Sequence, residues 1–150
     1  MLQDFNNAIW LDYALDGTAC PTLPGDHPNR GGNLRSPEEY NGLHLTVQAD
    51  VFSLGYVLYE LLAGSQPYRG TDFTGYTRDE RDGGGKLNIK EAVAVGSNFA
   101  SFMSDIEEGE GWRKDAAQLV RDCWKYDPEK RPRASEVAKR IGEIKVKHGI

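Results

Sequence analysis

The sequence contains little cysteine. Its two cysteines, Cys20 and Cys123, lie far apart and form no CxxC pair. Zinc sites and disulfide frameworks need closely spaced or numerous cysteines, so the sequence predicts neither. The first residues also lack the charged start and apolar run of a signal peptide. We therefore expect a reducing, intracellular location, in the cytoplasm or the nucleus.

An excess of basic residues is also missing. The 18 lysines and arginines are outnumbered by 23 acidic residues, which gives a formal net charge of -5. A nucleic-acid-binding protein needs a dominant basic face, so this balance argues against that class. The basic residues near the end of the chain, such as Lys139 and Arg140, are more typical of a solvated helix face.

The most hydrophobic stretch, residues 49–64, is too short to span a bilayer. Its pattern predicts a helix that is apolar nearly all round. Such a helix is usually buried with other elements on several sides, because an exposed face would leave large apolar side chains in water. Gly64 is predicted to end it, since glycine most easily adopts a left-handed C-terminal cap. The rest of the chain is therefore expected to surround this helix.

Three further helices follow from the pattern. Residues 36–40 place a proline at a first helical position and acidic residues in the first turn, which predicts a short helix. Apolar stripes predict amphipathic helices at 112–123 and at 134–144. Residues 126–132, which contain two prolines, are predicted to form the turn between them.

The remaining segments are less regular. Residues 16–34 and 71–86 are rich in glycine and polar residues and predict two long loops. Short helices are predicted at 89–95 and 99–106. The triple glycine at 83–85 is not followed by GK[ST], so it does not indicate a phosphate-binding loop. The sum is a mainly α fold of about five helices with almost no strand.

Four motifs occur in a fixed order: Asp4-Phe-Asn6, Ser36-Pro-Glu38, Asp50-Val-Phe-Ser-Leu-Gly55, and Cys123-Trp-Lys-Tyr-Asp-Pro-Glu-Lys-Arg-Pro132. Each is common by chance, but their order and spacing together resemble the C-terminal lobe of a eukaryotic protein kinase domain. The resemblance covers nearly all of residues 1–150. It implies a partial kinase-like fold, with an activation segment at about 4–38 and a helical lobe at about 39–147 around the buried central helix.

The resemblance implies a cofactor site at the first motif. Asp4, with Phe5 and Asn6, would match the DFG motif, whose aspartate holds the Mg²⁺ that bridges the phosphates of ATP. Asn6 stands where the family has glycine, but asparagine tolerates left-handed backbone. Thr18 and Thr22 lie in the implied activation segment and are candidate phosphorylation sites, with ordinary loop hydroxyls as the alternative.

Three other residues are implied to be structural. Glu38 would match the glutamate of the APE motif, and Arg131 would be its buried ion-pair partner. Asp50 would cap the central helix and hydrogen-bond the backbone of the catalytic loop. The alternative for Asp50 is a simple acidic residue at a helix start.

Several catalytic parts of the family precede the DFG motif and have no counterpart in this sequence. These are the Gly-rich loop, the phosphate-pairing Lys, the partner Glu of that Lys, and the HRD loop with its base Asp and metal-binding Asn. No His-Arg-Asp occurs, and His27, His44 and His148 stand in no metal or triad spacing. We therefore expect the N-lobe and the catalytic loop to be absent and this chain alone to be inactive.

Two functions stay open at this stage. The first is the C-terminal part of a protein kinase domain that uses ATP and Mg²⁺ to phosphorylate a protein Ser/Thr or Tyr hydroxyl. The second is a non-catalytic, pseudokinase-like interaction module. The sequence with Arg35 before Ser-Pro-Glu resembles that of Ser/Thr kinases. The Cys123-Trp124 pair instead resembles the sequence of tyrosine and tyrosine-like kinases. In either case the expected partner is a protein, with no nucleic acid and no membrane.

Overall fold

A computed structural model of the chain describes residues 35–65 and 111–150, together with residues 14 and 106. The two predicted loops, at 16–34 and 71–86, lie outside the described residues. So do the short helix predicted at 89–95 and all of the one predicted at 99–106 except Ile106. The predictions for those segments stay untested.

The described residues contain four complete α-helices, a 3-10 turn and no strand. The elements are α1 (Pro37–Tyr40), α2 (Gln48–Ala63), α3 (Trp112–Cys123), the 3-10 turn (Pro128–Lys130) and α4 (Ala134–His148). Helix α2 packs against α3, and α3 packs against α4. This architecture confirms the mainly α fold class and all four helices that the sequence predicts in this part of the chain.

Helix α1 has only four residues, and its start is stabilised by a capping box. Ser36 precedes it, and the Oγ of Ser36 accepts a hydrogen bond from the backbone N–H of Glu39 at 3.4 Å. In return the Glu39 carboxylate accepts from the backbone N–H of Ser36 at 2.8 Å. This reciprocal capping box, with Pro37 at the first turn, fixes the helix start. Glu38 is thereby directed into the protein, where it is buried.

Helix α2 is the centre of the core, as predicted. Its aromatic side chains Phe52, Tyr56 and Tyr59 are buried and join residues of α1 and α3 in one apolar cluster. The helix is not covered on every side by the described residues, however, since Val57 is exposed and Leu61 is 76% exposed. The predicted burial therefore holds for the aromatic face and not for the face that carries Val57 and Leu61.

The end of α2 follows the prediction closely. Gly64 has a φ of 70°, and its N–H donates to the carbonyl of Glu60 at 2.8 Å. A Cβ at this position would meet no atom within 4 Å. The left-handed backbone conformation, and not a steric clash, therefore limits which residues position 64 accepts.

We expect Gly64→Ala to lower the free energy of unfolding by about 1–2 kcal/mol, because left-handed backbone is strained for alanine. Urea denaturation measures the loss. Gly64→Asn should lose less, because asparagine tolerates the same conformation better. Equal stability of the alanine variant and the parent would contradict a left-handed cap.

Ion pairs hold α4 against α3. Near the middle of α4, Arg140 lies 2.8 Å from the carboxylate of Asp122. At its end, Lys147 and His148 approach the same oxygen of Asp115 at 2.7 Å and 2.9 Å. Hydrogen bonds from His148 and Lys147 lower the pKa of Asp115. Two carboxylates of α3 thus form ion pairs with basic side chains of the last helix.

The described part of the chain offers no metal centre and no membrane-crossing helix. No group of three potential ligands lies close enough together within it to hold a metal ion. Among its helices, none combines the length and apolarity that crossing a bilayer requires.

Cys123 is buried, and this burial raises the pKa of its thiol to about 11. The thiol therefore stays protonated and unreactive near neutral pH.

Candidate functional site

The candidate site is organised by an ion pair between Glu38 of α1 and Arg131 after the 3-10 turn. The two Nη atoms of Arg131 lie 2.5 and 2.9 Å from the two carboxylate oxygens of Glu38. The side chains are 0% and 5% exposed, so both charges are removed from water. A bidentate pair of this kind is strong and geometrically specific. Glu38 and Arg131, which the resemblance implies to be partners, are therefore in direct contact.

Every remaining donor of the guanidinium is also used. The Nε of Arg131 donates to the carbonyl of Lys125 at 2.7 Å. Its Nη atoms donate to the carbonyls of Gln48 and Tyr126, both at 2.9 Å. Arginine has five N–H donors, and together with the two bonds to Glu38 all five have acceptors. One side chain therefore joins α1, the start of α2 and the segment that follows α3.

Two residues of α2 complete the surroundings of Arg131. The ring of Phe52 is fully buried, with its centroid 4.8 Å from the guanidinium carbon. An aromatic face at this distance attracts a cation, and more so away from water. The side-chain amide of Gln48 also donates to the backbone carbonyl of Arg131 at 3.5 Å. The desolvated charge of Arg131 is thus compensated on several sides.

Local sequence explains why Arg131 points inward. The carboxylate of Asp127 accepts from the backbone N–H of Glu129 at 3.0 Å and starts the 3-10 turn, with Pro128 at its first position. The turn ends when the N–H of Arg131 donates to the carbonyl of Pro128 at 3.2 Å. Arg131 then has extended backbone, which is what a following proline such as Pro132 favours.

Asp50 lies in the first turn of α2, and its side chain is exposed. The residue at the cap position is Val47, which makes no side-chain capping hydrogen bond. The hydroxyl oxygen of Thr46 instead accepts from the N–H of Gln48 at 3.3 Å. Asp50 therefore does not make the predicted capping contact, because it stands inside the helix and not before it. Its predicted bond to a catalytic loop stays a prediction.

The environment of Asp50 disfavours its charged form. Partial desolvation raises the pKa of the Asp50 carboxyl above its usual value of 3.8, and the negative charge of Glu39 raises it further. The folded protein is therefore more stable when Asp50 is protonated than when it is charged. This stabilisation is complete below the pKa that Asp50 has in the unfolded chain, and it is lost as the pH rises through the higher pKa of the folded protein.

We therefore expect Asp50→Asn to be more stable than the parent at pH 7, by up to about 0.5 kcal/mol as is usual for a surface position. Near pH 3 the two proteins should unfold alike, because the parent carboxyl is then protonated. Thermal melts at both pH values test this. A difference that is the same at pH 3 and pH 7 would show that desolvation of the charge is not its cause.

The other sequence-predicted site residues belong to the first 34 residues of the chain. Asp4, Phe5 and Asn6 of the implied cofactor site lie outside the described residues, and so do the candidate phosphorylation sites Thr18 and Thr22. Their roles stay predictions.

Sequence reasoning missed two residues of the site, Gln48 and Phe52. They stand four positions apart at the start of α2 and so lie on the same face of that helix. This spacing is the signal that could have indicated Gln48 and Phe52, because the buried Arg131 needs partners. The carbonyls of Lys125 and Tyr126 carry no such signal, because every residue has a carbonyl.

Comparison with known proteins identifies the family. The family model named protein kinase domain matches residues 31–140 of this chain. Over 114 residues the chain is 33% identical to the leucine-rich repeat receptor protein kinase MSL1 of Oryza sativa subsp. japonica, covering 72% of this chain and 8% of that protein. It is 28% identical over 149 residues to the dual specificity protein kinase pyk3 of Dictyostelium discoideum, covering 98% and 10% of the two chains.

A third relative carries the name of a probable inactive kinase. It is the probable inactive receptor kinase RLK902 of Arabidopsis thaliana, 30% identical over 159 residues, a match that covers 97% of this chain and 22% of that protein. The chain thus spans between 8% and 22% of the length of these three relatives. The family match includes α1, α2, α3 and the buried pair, and it agrees with the resemblance of the motifs. The chain therefore belongs to the protein kinase domain family.

Proposed function

We propose that this chain supplies the helical C-terminal lobe of a kinase domain that transfers the terminal phosphoryl group of ATP to a protein hydroxyl. The observation that carries the proposal is the buried Glu38–Arg131 pair, in which all five guanidinium donors have acceptors. In this proposal residues 4–38 form the activation segment and residues 39–147 form the lobe. Glu38 is then the point at which the segment joins the rigid core.

The pair is suited to that task because of its energetics. To release Glu38, the protein would have to leave the guanidinium of Arg131 buried without its carboxylate, and breaking a buried ion pair from one side costs about 3–5 kcal/mol. A loop whose last residue is held this firmly can change conformation before that residue and still end at a fixed position. Substrate binding by such a loop needs this fixed end, since misplacing reacting groups by about 1 Å can cost about 100-fold in rate.

In the same proposal Asp4, with Phe5 and Asn6, holds Mg²⁺ and through it the phosphates of ATP. A carboxylate oxygen is the type of ligand that Mg²⁺ prefers. Thr18 and Thr22 are proposed phosphorylation sites of the activation segment. The sequence contains no His-Arg-Asp, so the catalytic base must come from outside these 150 residues and the chain alone is proposed to be inactive.

A chimera tests the proposal. Residues 4–147 of this chain would replace the aligned part of the dual specificity protein kinase pyk3 of Dictyostelium discoideum, whose match covers 98% of this chain. With Mg-ATP we expect transfer to a peptide that carries Ser, Thr or Tyr. Asp4→Asn in the chimera should reduce the rate by about 10²–10³-fold, as for loss of one group that stabilises transition-state charge.

The 150-residue chain alone serves as the second arm of this experiment. It should transfer no phosphate and should show no change in melting temperature with Mg-ATP. A chimera that folds and binds ATP but transfers nothing would contradict the catalytic proposal. Transfer that persists unchanged in the Asp4→Asn chimera would contradict the role of Asp4.

The second candidate function is a non-catalytic interaction module. Two observations favour it: the match to a probable inactive receptor kinase spans 97% of this chain, and Asn6 stands where the DFG motif has glycine. This candidate predicts that the chain alone unfolds cooperatively and that the chimera is silent. An active chimera would exclude it.

A further inference from the structure

We draw no further inference here: the strongest candidate, the apolar groove where the end of α2 meets α3 and α4, lined by Leu61, Leu62, Trp112, Ile141 and Ile144, has nothing in the described part of the chain that shows what covers it.

Discussion

Replacing Arg131 with methionine is expected to lower the free energy of unfolding by about 3–5 kcal/mol, the usual cost of breaking a buried ion pair from one side. The variant leaves the Glu38 carboxylate buried without its partner. It also leaves the carbonyls of Lys125, Gln48 and Tyr126 without the donor that each has in the parent. In a protein of this size a loss of 1 kcal/mol lowers the melting temperature by about 2–4 °C, so calorimetry and urea denaturation both detect it.

A double-mutant cycle separates the pair from the rest of the network. Glu38→Leu should cost less than Arg131→Met, because three carbonyls still compensate the guanidinium in that variant. The double variant should be more stable than the sum of the single losses predicts, by about 0.5–3 kcal/mol, since neither charge is then buried alone. It should still be less stable than the parent, because those carbonyls lose the hydrogen bonds that Arg131 donates.

An exposed pair on α4 provides the matched control. Lys139 and Glu143 lie 3.7 Å apart, and both side chains are largely in solvent. Lys139→Gln should change stability by less than about 0.5 kcal/mol. If Arg131→Met costs no more than this control, or if the losses in the cycle simply add, the buried pair does not hold the fold together in the way we describe.

The helices could be predicted from sequence because each has a periodic apolar face or a clear boundary. Gly64 marked the end of α2, the proline and acidic residues at 37–39 marked α1, and the stripe from Trp112 to Cys123 marked α3. The Glu38–Arg131 pair could be predicted only from the order of the motifs. No property of either residue alone indicates a partner 93 positions away.

Other features depend on the three-dimensional arrangement and carry no local signal. Periodicity shows that α2 is apolar nearly all round, but it does not show which faces its neighbours cover, so the exposure of Leu61 was not foreseen. The stripe on α4 is a similar case. Val137 is buried, whereas Ile141 on the same stripe is 36% exposed. The capping role of Asp50 failed for a different reason, since the helix starts two residues before it, at Gln48.

The second large effect concerns Gly55 in the middle of α2. By helix propensity alone, replacing glycine with alanine inside a helix is stabilising by about 0.5–1 kcal/mol. At this position, however, a Cβ would lie 2.6 Å from both Cδ1 and Nε1 of Trp124 and 3.1 Å from the Cβ of Cys123. The indole has little room to move, since it is 3% exposed and packs against the rings of Tyr56 and Tyr59. We therefore expect Gly55→Ala to destabilise the protein by about 1–3 kcal/mol, the usual cost of overpacking.

Gly142 in α4 is the matched control for this substitution. It is also helical, but a Cβ there would meet nothing within 4 Å. Gly142→Ala should therefore show the propensity effect alone and stabilise the protein by about 0.5–1 kcal/mol. In the double variant Gly55→Ala with Trp124→Leu, the added methyl group should cost less than it does beside the intact indole, because the clashing ring is gone. Thermal melts of these three variants, of Trp124→Leu alone and of the parent would measure this. If Gly55→Ala stabilises as Gly142→Ala does, then α2 and Trp124 do not approach each other as closely as the packing of α2 against α3 requires.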